Sequence, residues 1–387
     1  MRSTSTQIRG TLAHAAYDDA YFPALDGLRA VSVLLVATWH VPQGAASRAA
    51  SIFSAVRGAQ GVTVFFVLSG FLITLLALRE ERVTGNVSFA AFYVRRTFRL
   101  FPLYYAVLGC YAVLILVVHL DPRRAEFVRA LPYYLTYLQE VPHFFFGGSA
   151  PFEISWSLGI EEKFYLFWPL LCFAALAGAS LRTRIAVALG LMIVLLSAPL
   201  VFHSDPVGVM LRQYGALMAG CALALMVDAP AMRGVLESCT RGWVPLIALA
   251  GVLLLRAPML VVVFATAVAI PSFITRRGWL ARMLACGPLA WLGRRSYGFY
   301  LVHVLGLSVG RKLAGTLLPN GEIVIFVVGV TISIIAAAVL HRAIERPFIQ
   351  WGRKLSRRIH SKAEIALSQQ LVAGTYTLAA AGRAVEG

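Results

Sequence analysis

The chain has 387 residues, of which 59% are hydrophobic and only 14% charged, with a formal net charge of +17. A soluble domain carries about 25% charged residues, so this composition excludes an ordinary soluble protein. The positive charge does not mark a nucleic-acid partner either, because the basic residues stand in short clusters between apolar runs, as the positive-inside rule asks of cytoplasmic loops.

Several apolar runs reach the ~18 residues that cross a bilayer, and the alternation of a membrane β-barrel is absent. The expected fold is therefore all-α and polytopic. About ten transmembrane helices are read near 28–44, 58–78, 100–120, 155–178, 184–203, 208–228, 243–257, 258–275, 289–308 and 322–343, around a buried central site. They lie within a transmembrane domain over 22–350, between a short polar segment (1–21) and a basic, then Ala-rich tail (351–387). The segment 127–140 is apolar but too short, and reads as interfacial or re-entrant. Counting ten spans puts Arg95, Arg96 and Arg99, Arg276 and Arg277, and the tail on one side with the N-terminus. The rule then makes that side cytoplasmic, with the chain in the plasma (inner) membrane.

The first span, LDGLRAVSVLLVATWH, runs from Leu25 to His40. Asp26 and Arg29 stand at its entrance. Arg29 and His40 are close to three helical turns apart, on one face and ~16 Å apart along the axis, so His40 is expected near mid-membrane. A packed histidine bonded to a neighbouring helix is one reading. The other is function, since ionisable groups in a membrane are costly and mark sites.

The second span, QGVTVFFVLSGFLIT, carries Ser69 beside Gly70, which suits close helix packing. Before the third stands FYVRRTFRLFPLYY. Arg95, Arg96 and Arg99 serve either as topological charges or as an anion site, since guanidinium forks suit phosphate. Acyl-coenzyme A has the shape such a site would take, with phosphates at the interface and a thioester on a long thin arm. The fourth span, WSLGIEEKFYLFWPLL, holds Glu161 and Glu162 on different helix faces, with Lys163 as a possible ion-pair partner. The ninth contains SYGFYLVH, with Tyr297, Tyr300 and His303. On this reading His40, Ser69, Glu161 and His303 meet at one depth. Neither the scattered cysteines nor the histidines have metal-ligand spacing, so no metal is expected.

These stretches, in order and closed by AIERPF, resemble the membrane acyltransferase-3 family over roughly residues 22–350. The resemblance implies transfer of an acyl group, commonly acetyl from acetyl-coenzyme A, onto a hydroxyl of a carbohydrate or glycosylated acceptor. By position, Arg29 and His40 match the family's Arg-x10-His element, and Arg96 and Arg99 its donor-linked Arg-x-x-Arg. Glu161 matches the Glu of Ser-Leu-x-x-Glu, here opened by Ser157 and Leu158. Lys163 and Val304 depart from the family's usual Gln and bulky residue. The likeness is to stand-alone members without a hydrolase-like domain after the bundle.

The resulting expectation is an O-acyltransferase with His40 as general base, oriented by Glu161, or as a covalent acyl carrier. Arg29, Arg95, Arg96 and Arg99 hold the donor. Asp26, Ser69, Glu162, Tyr297 and His303 touch the acceptor or support the site. A proton-coupled transporter of a small solute or glycan precursor is the competing class, because intramembrane His and Glu also build proton relays.

Overall fold

A computed structural model describes residues 21–41, 58–203, 205–238, 240, 257–315 and 321–359. All regular elements among them are helical. Helix α1 (Pro23–Trp39) starts with its proline in the first turn, where the missing N–H is not needed. It stops one residue before His40. Helix α2 (Ala59–Thr84) ends on Gly85, whose φ of 80° closes the last turn. Helix α3 (Phe89–Ala112) opens on Ser88, whose side chain accepts the Ala91 N–H at 3.4 Å, and runs on into a π-turn at Val113–Val117.

Two short helices follow, α4 (Arg124–Leu135) and α5 (Glu140–Phe145), so the apolar segment at 127–140 does not form one long helix. Next come α6 (Trp156–Leu170), α7 (Leu181–Val201), α8 (Pro206–Asp228) and the short α9 (Arg233–Ser238). Helices α10 (Met259–Ile274), α11 (Gly278–Leu284), α12 (Gly287–Gly293), α13 (Ser296–Gly315) and α14 (Glu322–Leu340) complete the set. The last continues through a π-turn to Ile359, beyond the expected domain edge at 350.

Five described helical stretches are long and apolar enough to cross a bilayer: 60–84, 89–117, 181–201, 206–228 and 322–359. A sixth is gained if α10 and α11, bent by 83°, count as one span. The expected ten are thus not reached on length and apolarity. The reason is chemical. Helix α1 has only 17 residues, α6 carries Glu161, Glu162 and Lys163, and α13 carries Tyr297, Tyr300, His303, Arg311 and Lys312. The expected span at 243–257 lies almost wholly outside the described residues. Helix α7 leaves Val194 64% and Leu200 81% exposed, which suits a helix whose outer face meets lipid tails rather than water.

Helices α2, α7 and α8 pack together, as do α13 and α14, and α1 packs against α2 and α12. The α2–α8 contact depends on a close backbone approach. A Cβ added at Gly70 would lie 1.9 Å from the Leu217 carbonyl oxygen. Gly70→Ala is therefore expected to cost about 1–3 kcal/mol of stability through overpacking, read as a lower melting temperature in detergent. An unchanged melting temperature would show that the two helices separate freely.

Charges at one end of the bundle cross-link α2 to α7, α8 and α3. Arg184 grips Glu81 with both guanidinium nitrogens at 2.8 and 3.0 Å, Arg82 pairs with Asp228, and Arg95 binds Glu80 at 2.7 Å. Lys163, for which pairing within its own helix was one reading, instead bonds Glu140 of α5 at 2.7 Å and the Tyr137 carbonyl at 2.6 Å. Glu140 is only 4% exposed. Lys163→Met would strand that carboxylate, and removing one partner of a buried pair costs about 3–5 kcal/mol. The expected result is a markedly lower melting temperature that Glu140→Gln in the same chain partly restores. Equal melting of Lys163→Met and wild type would refute the pairing.

Candidate active site

Arg29 in α1, Arg96 and Arg99 in α3, and Arg294 and Arg295 just before α13 stand toward one end of these three helices, while His40, Asp121 and Arg311 come toward the other. Two cavities among the described residues follow this division. The arginine cavity is lined by Arg29 from α1, Phe65 and Phe66 from α2, Arg96 and Arg99 from α3, Glu161 and Tyr165 from α6, and Tyr297 and Tyr300 from α13. It is small, about 50 Å³. The histidine cavity holds about 950 Å³, and its walls include Trp39, His40, Tyr111, His143, Glu153 and Trp156. Val62 and Tyr300 line both, so the two spaces adjoin across one Val and one Tyr.

His40 and His303 touch. His303 Nε2 stands 3.2 Å from His40 Nδ1, with the rings edge to face at 4.9 Å between centroids. Their hydrogens can be assigned from their partners. His303 Nδ1 lies 2.6 Å from the Tyr300 carbonyl, which only accepts, so Nδ1 carries the proton and Nε2 of the neutral ring is bare. His40 Nδ1 faces that bare nitrogen and also the Val36 carbonyl at 2.9 Å. Both are acceptors, so His40 Nδ1 is the donor and its Nε2 keeps a free lone pair. A neutral imidazole held in one tautomer with a basic nitrogen beside a cavity is what general-base chemistry needs.

Glu161 is elsewhere. Its carboxylate accepts from the Tyr165 hydroxyl, one helical turn along α6, and it lines the arginine cavity. The partner against His40 is thus a second histidine rather than the expected glutamate. The four groups read as meeting at one depth separate: His40 joins His303, Glu161 joins the arginines, and Ser69 is buried in α2 and lines neither cavity. His40 directly follows the end of α1 and shares its cavity with the loop residues Asp121, Pro122 and Arg123. In that loop, two hydrogen bonds from the Arg123 guanidinium, at 2.9 and 2.6 Å, hold the Asp121 carboxyl below its ordinary range.

Three of the four expected donor arginines line the arginine cavity. The Arg29 Nε is buried with no hydrogen-bond partner among the described residues, and Arg96 lies over the Tyr165 ring at 4.8 Å. A buried guanidinium nitrogen left unpaired costs free energy and fits an anionic ligand. Arg95 is not brought there. It is spent on Glu80 and on Ser356 Oγ at 2.8 Å, so its expected role as a donor ligand is corrected to a tie between α2, α3 and the extension of α14. Asp26 and Glu162 line neither cavity. Tyr297 donates its hydroxyl to the Leu100 carbonyl at 2.8 Å, and Tyr300 to Ile154 at 2.6 Å, while Ser157 lies 2.7 Å from the Tyr300 hydroxyl. Among the described residues no group of three or more His, Cys, Asp or Glu could hold a metal ion. Sequence reasoning passed over His143 and Glu153, which line the histidine cavity from outside every expected span; the six-residue α5 and the Phe-, Gly- and Pro-containing segment after it are too short and irregular to give a periodic signal.

A family profile described as "Acyltransferase domain" matches residues 22–342, which takes in both cavities. The chain belongs to this acyltransferase family. It is 30% identical over 388 residues to "Putative peptidoglycan O-acetyltransferase YrhL" of Bacillus subtilis (strain 168), covering 89% of this chain and 58% of that protein. It is 28% identical to "Peptidoglycan O-acetyltransferase OatA" of Listeria monocytogenes serovar 1/2a, covering 87% and 57%. The chain therefore spans under two thirds of the length of these relatives. No solved structure matches.

Proposed function

We propose that the chain is an integral membrane O-acyltransferase that moves an acyl group, acetyl in the first instance, from acyl-coenzyme A to a carbohydrate hydroxyl. The observation that carries this reading is the His40–His303 pair, with a bare His40 Nε2, at a large cavity that adjoins an arginine-lined one across Val62 and Tyr300. The donor's phosphates pair with Arg29, Arg96 and Arg99. The arginine cavity has room for only a few waters, so the nucleotide stays at its mouth and only the thioester arm advances. The acceptor enters from the histidine end. His40 Nε2 takes the proton of the acceptor hydroxyl as its oxygen attacks the thioester carbonyl. The tetrahedral intermediate collapses, the carbon–sulfur bond breaks, and the imidazolium returns the proton to the leaving thiolate. His303 Nε2 accepts the His40 Nδ1–H throughout and steadies the positive ring.

Ten spans with both ends on the cytoplasmic side fit this route, because they set the arginine end toward cytosolic coenzyme A and the histidine end toward the cell surface. The names of YrhL and OatA make peptidoglycan sugars the first acceptors to try. The test is release of free thiol from acetyl-coenzyme A by the purified chain, stimulated by such an acceptor. Donor-independent flux of a solute through liposomes, with no thiol released, would assign the chain to the carriers instead.

A further inference from the structure

The histidine cavity contains a second imidazole that the transfer step does not use. His143 of α5 lies 2.6 Å from Glu153, Nδ1 to Oε1, and both line the cavity that holds His40. An ionised carboxylate only accepts, so His143 Nδ1 carries a proton, and Nε2 of the neutral ring is bare. Glu153 Oε2 has no hydrogen bond among the described residues. Two acceptors, one nitrogen and one oxygen, thus belong to one rigid pair.

A half-exposed hydrogen bond between two side chains usually means little. This one is built. The His143 ring stacks on Trp156 at 4.7 Å with 6° between planes, and Phe144 meets both rings edge to face. Glu153 follows Phe152, a non-glycine residue at φ 68°, a conformation that costs energy and persists only when the surroundings impose it. Those surroundings are Tyr104, Tyr111 and Tyr134, with centroids 5.5, 4.7 and 5.6 Å from the Phe152 ring. Behind the carboxylate, Gly148 comes so close that a Cβ there would lie 2.5 Å from Glu153 Oε1. Strain, stacking and close approach fix the pair in a wall where a simple surface hydrogen bond needs none of them.

We propose that His143 and Glu153 form the acceptor-binding subsite, and that its ligand is a saccharide. Two neighbouring acceptors recognise a molecule that presents neighbouring O–H or N–H donors, as vicinal hydroxyls or an acetamido group beside a hydroxyl do. The half-exposed Trp39, next to His40 in the same cavity, supplies an amphipathic aromatic surface for the ring's C–H face. The subsite holds the sugar while His40 acts on one of its hydroxyls. This inference rests on the acyltransferase reading.

The experiment uses the full chain in lipid nanodiscs with acetyl-coenzyme A as donor. Thiol release is measured against water alone, then with rising concentrations of a chitin oligosaccharide, and with glycerol as a polyol without a ring. His143→Phe keeps the stack on Trp156, and Glu153→Gln keeps the shape; each removes an acceptor or its charge. Both variants are expected to retain wild-type thiol release in water and wild-type KM for acetyl-coenzyme A, while the oligosaccharide KM rises about tenfold or more, the loss of one charge-assisted hydrogen bond. An unchanged oligosaccharide KM in both variants overturns the subsite. So does an equal loss of acceptor-independent hydrolysis, which would put the pair in the chemistry or the folding. Wild-type hydrolysis that no oligosaccharide stimulates, or that glycerol stimulates as well, overturns the saccharide assignment. A wild-type protein inert toward acetyl-coenzyme A fails the acyltransferase reading itself, a result separable from all the others.

Discussion

Purified His40→Ala protein is expected to insert and fold normally and to lose acyl transfer by about 10²–10⁴-fold, the usual contribution of a histidine general base. The loss should fall on kcat, because the side chain stands at the cavity wall with its Nε2 free rather than holding either substrate by a fixed bond. His303→Phe is the companion variant. The new ring can keep the stack that His303 makes on Phe299, at 6.1 Å and 6° between planes, while the acceptor for the His40 Nδ1–H disappears. Val36 still accepts that proton, so the tautomer is weakened rather than reversed. The expected order of kcat is wild type, then His303→Phe, then His40→Ala. Turnover of His40→Ala near the wild-type level would remove the imidazole from the reaction. A His303→Phe rate equal to wild type would reduce His303 to packing.

The parts of this architecture that were legible in the sequence are those set by solvent. Helices α2, α3, α7 and α14 carry long apolar runs, and the bilayer admits few other structures for them. The arginines of α3 were legible as a charged strip, and two of the three do line a cavity with Arg29. Pairing between helices was not legible. Depth along a span can be counted from one edge, but rotation about the axis and the true end of the helix cannot. Thus α1 stops at Trp39 and leaves His40 just past its end, in a cavity walled by both helices and loops, where the expected span ran on to residue 44. Glu161 was matched to His40 on depth and on the Ser-Leu-x-x-Glu motif, yet the i,i+4 neighbour Tyr165 is its hydrogen-bond partner. Lys163 shows the same effect. Its carboxylate comes from α5, a helix of six residues whose place is fixed by tertiary packing rather than by any periodic signal.

The arginine cavity yields the second large effect, and Arg95 is its internal control. Arg96→Ala and Arg99→Ala each remove a guanidinium from the space shared with Arg29 and Glu161. A hydrogen bond to a charged group contributes about 1.5–3 kcal/mol, so the KM for acetyl-coenzyme A should rise roughly ten- to a hundredfold, with kcat less affected. Raising the salt concentration should weaken wild-type donor binding and flatten the difference between wild type and variants, because part of the attraction is long-range and screened. Arg95→Ala is expected to behave otherwise. Its partners are Glu80 and Ser356, so its removal should lower the melting temperature and leave the donor KM near wild type. If all three variants raised the donor KM alike, the cationic strip would act as a diffuse field. If Arg96→Ala and Arg99→Ala lowered kcat with donor affinity intact, the phosphates would dock elsewhere. The specific outcome, two residues one turn apart that set donor affinity and a third beside them that sets only stability, follows from which guanidinium groups already have a protein carboxylate.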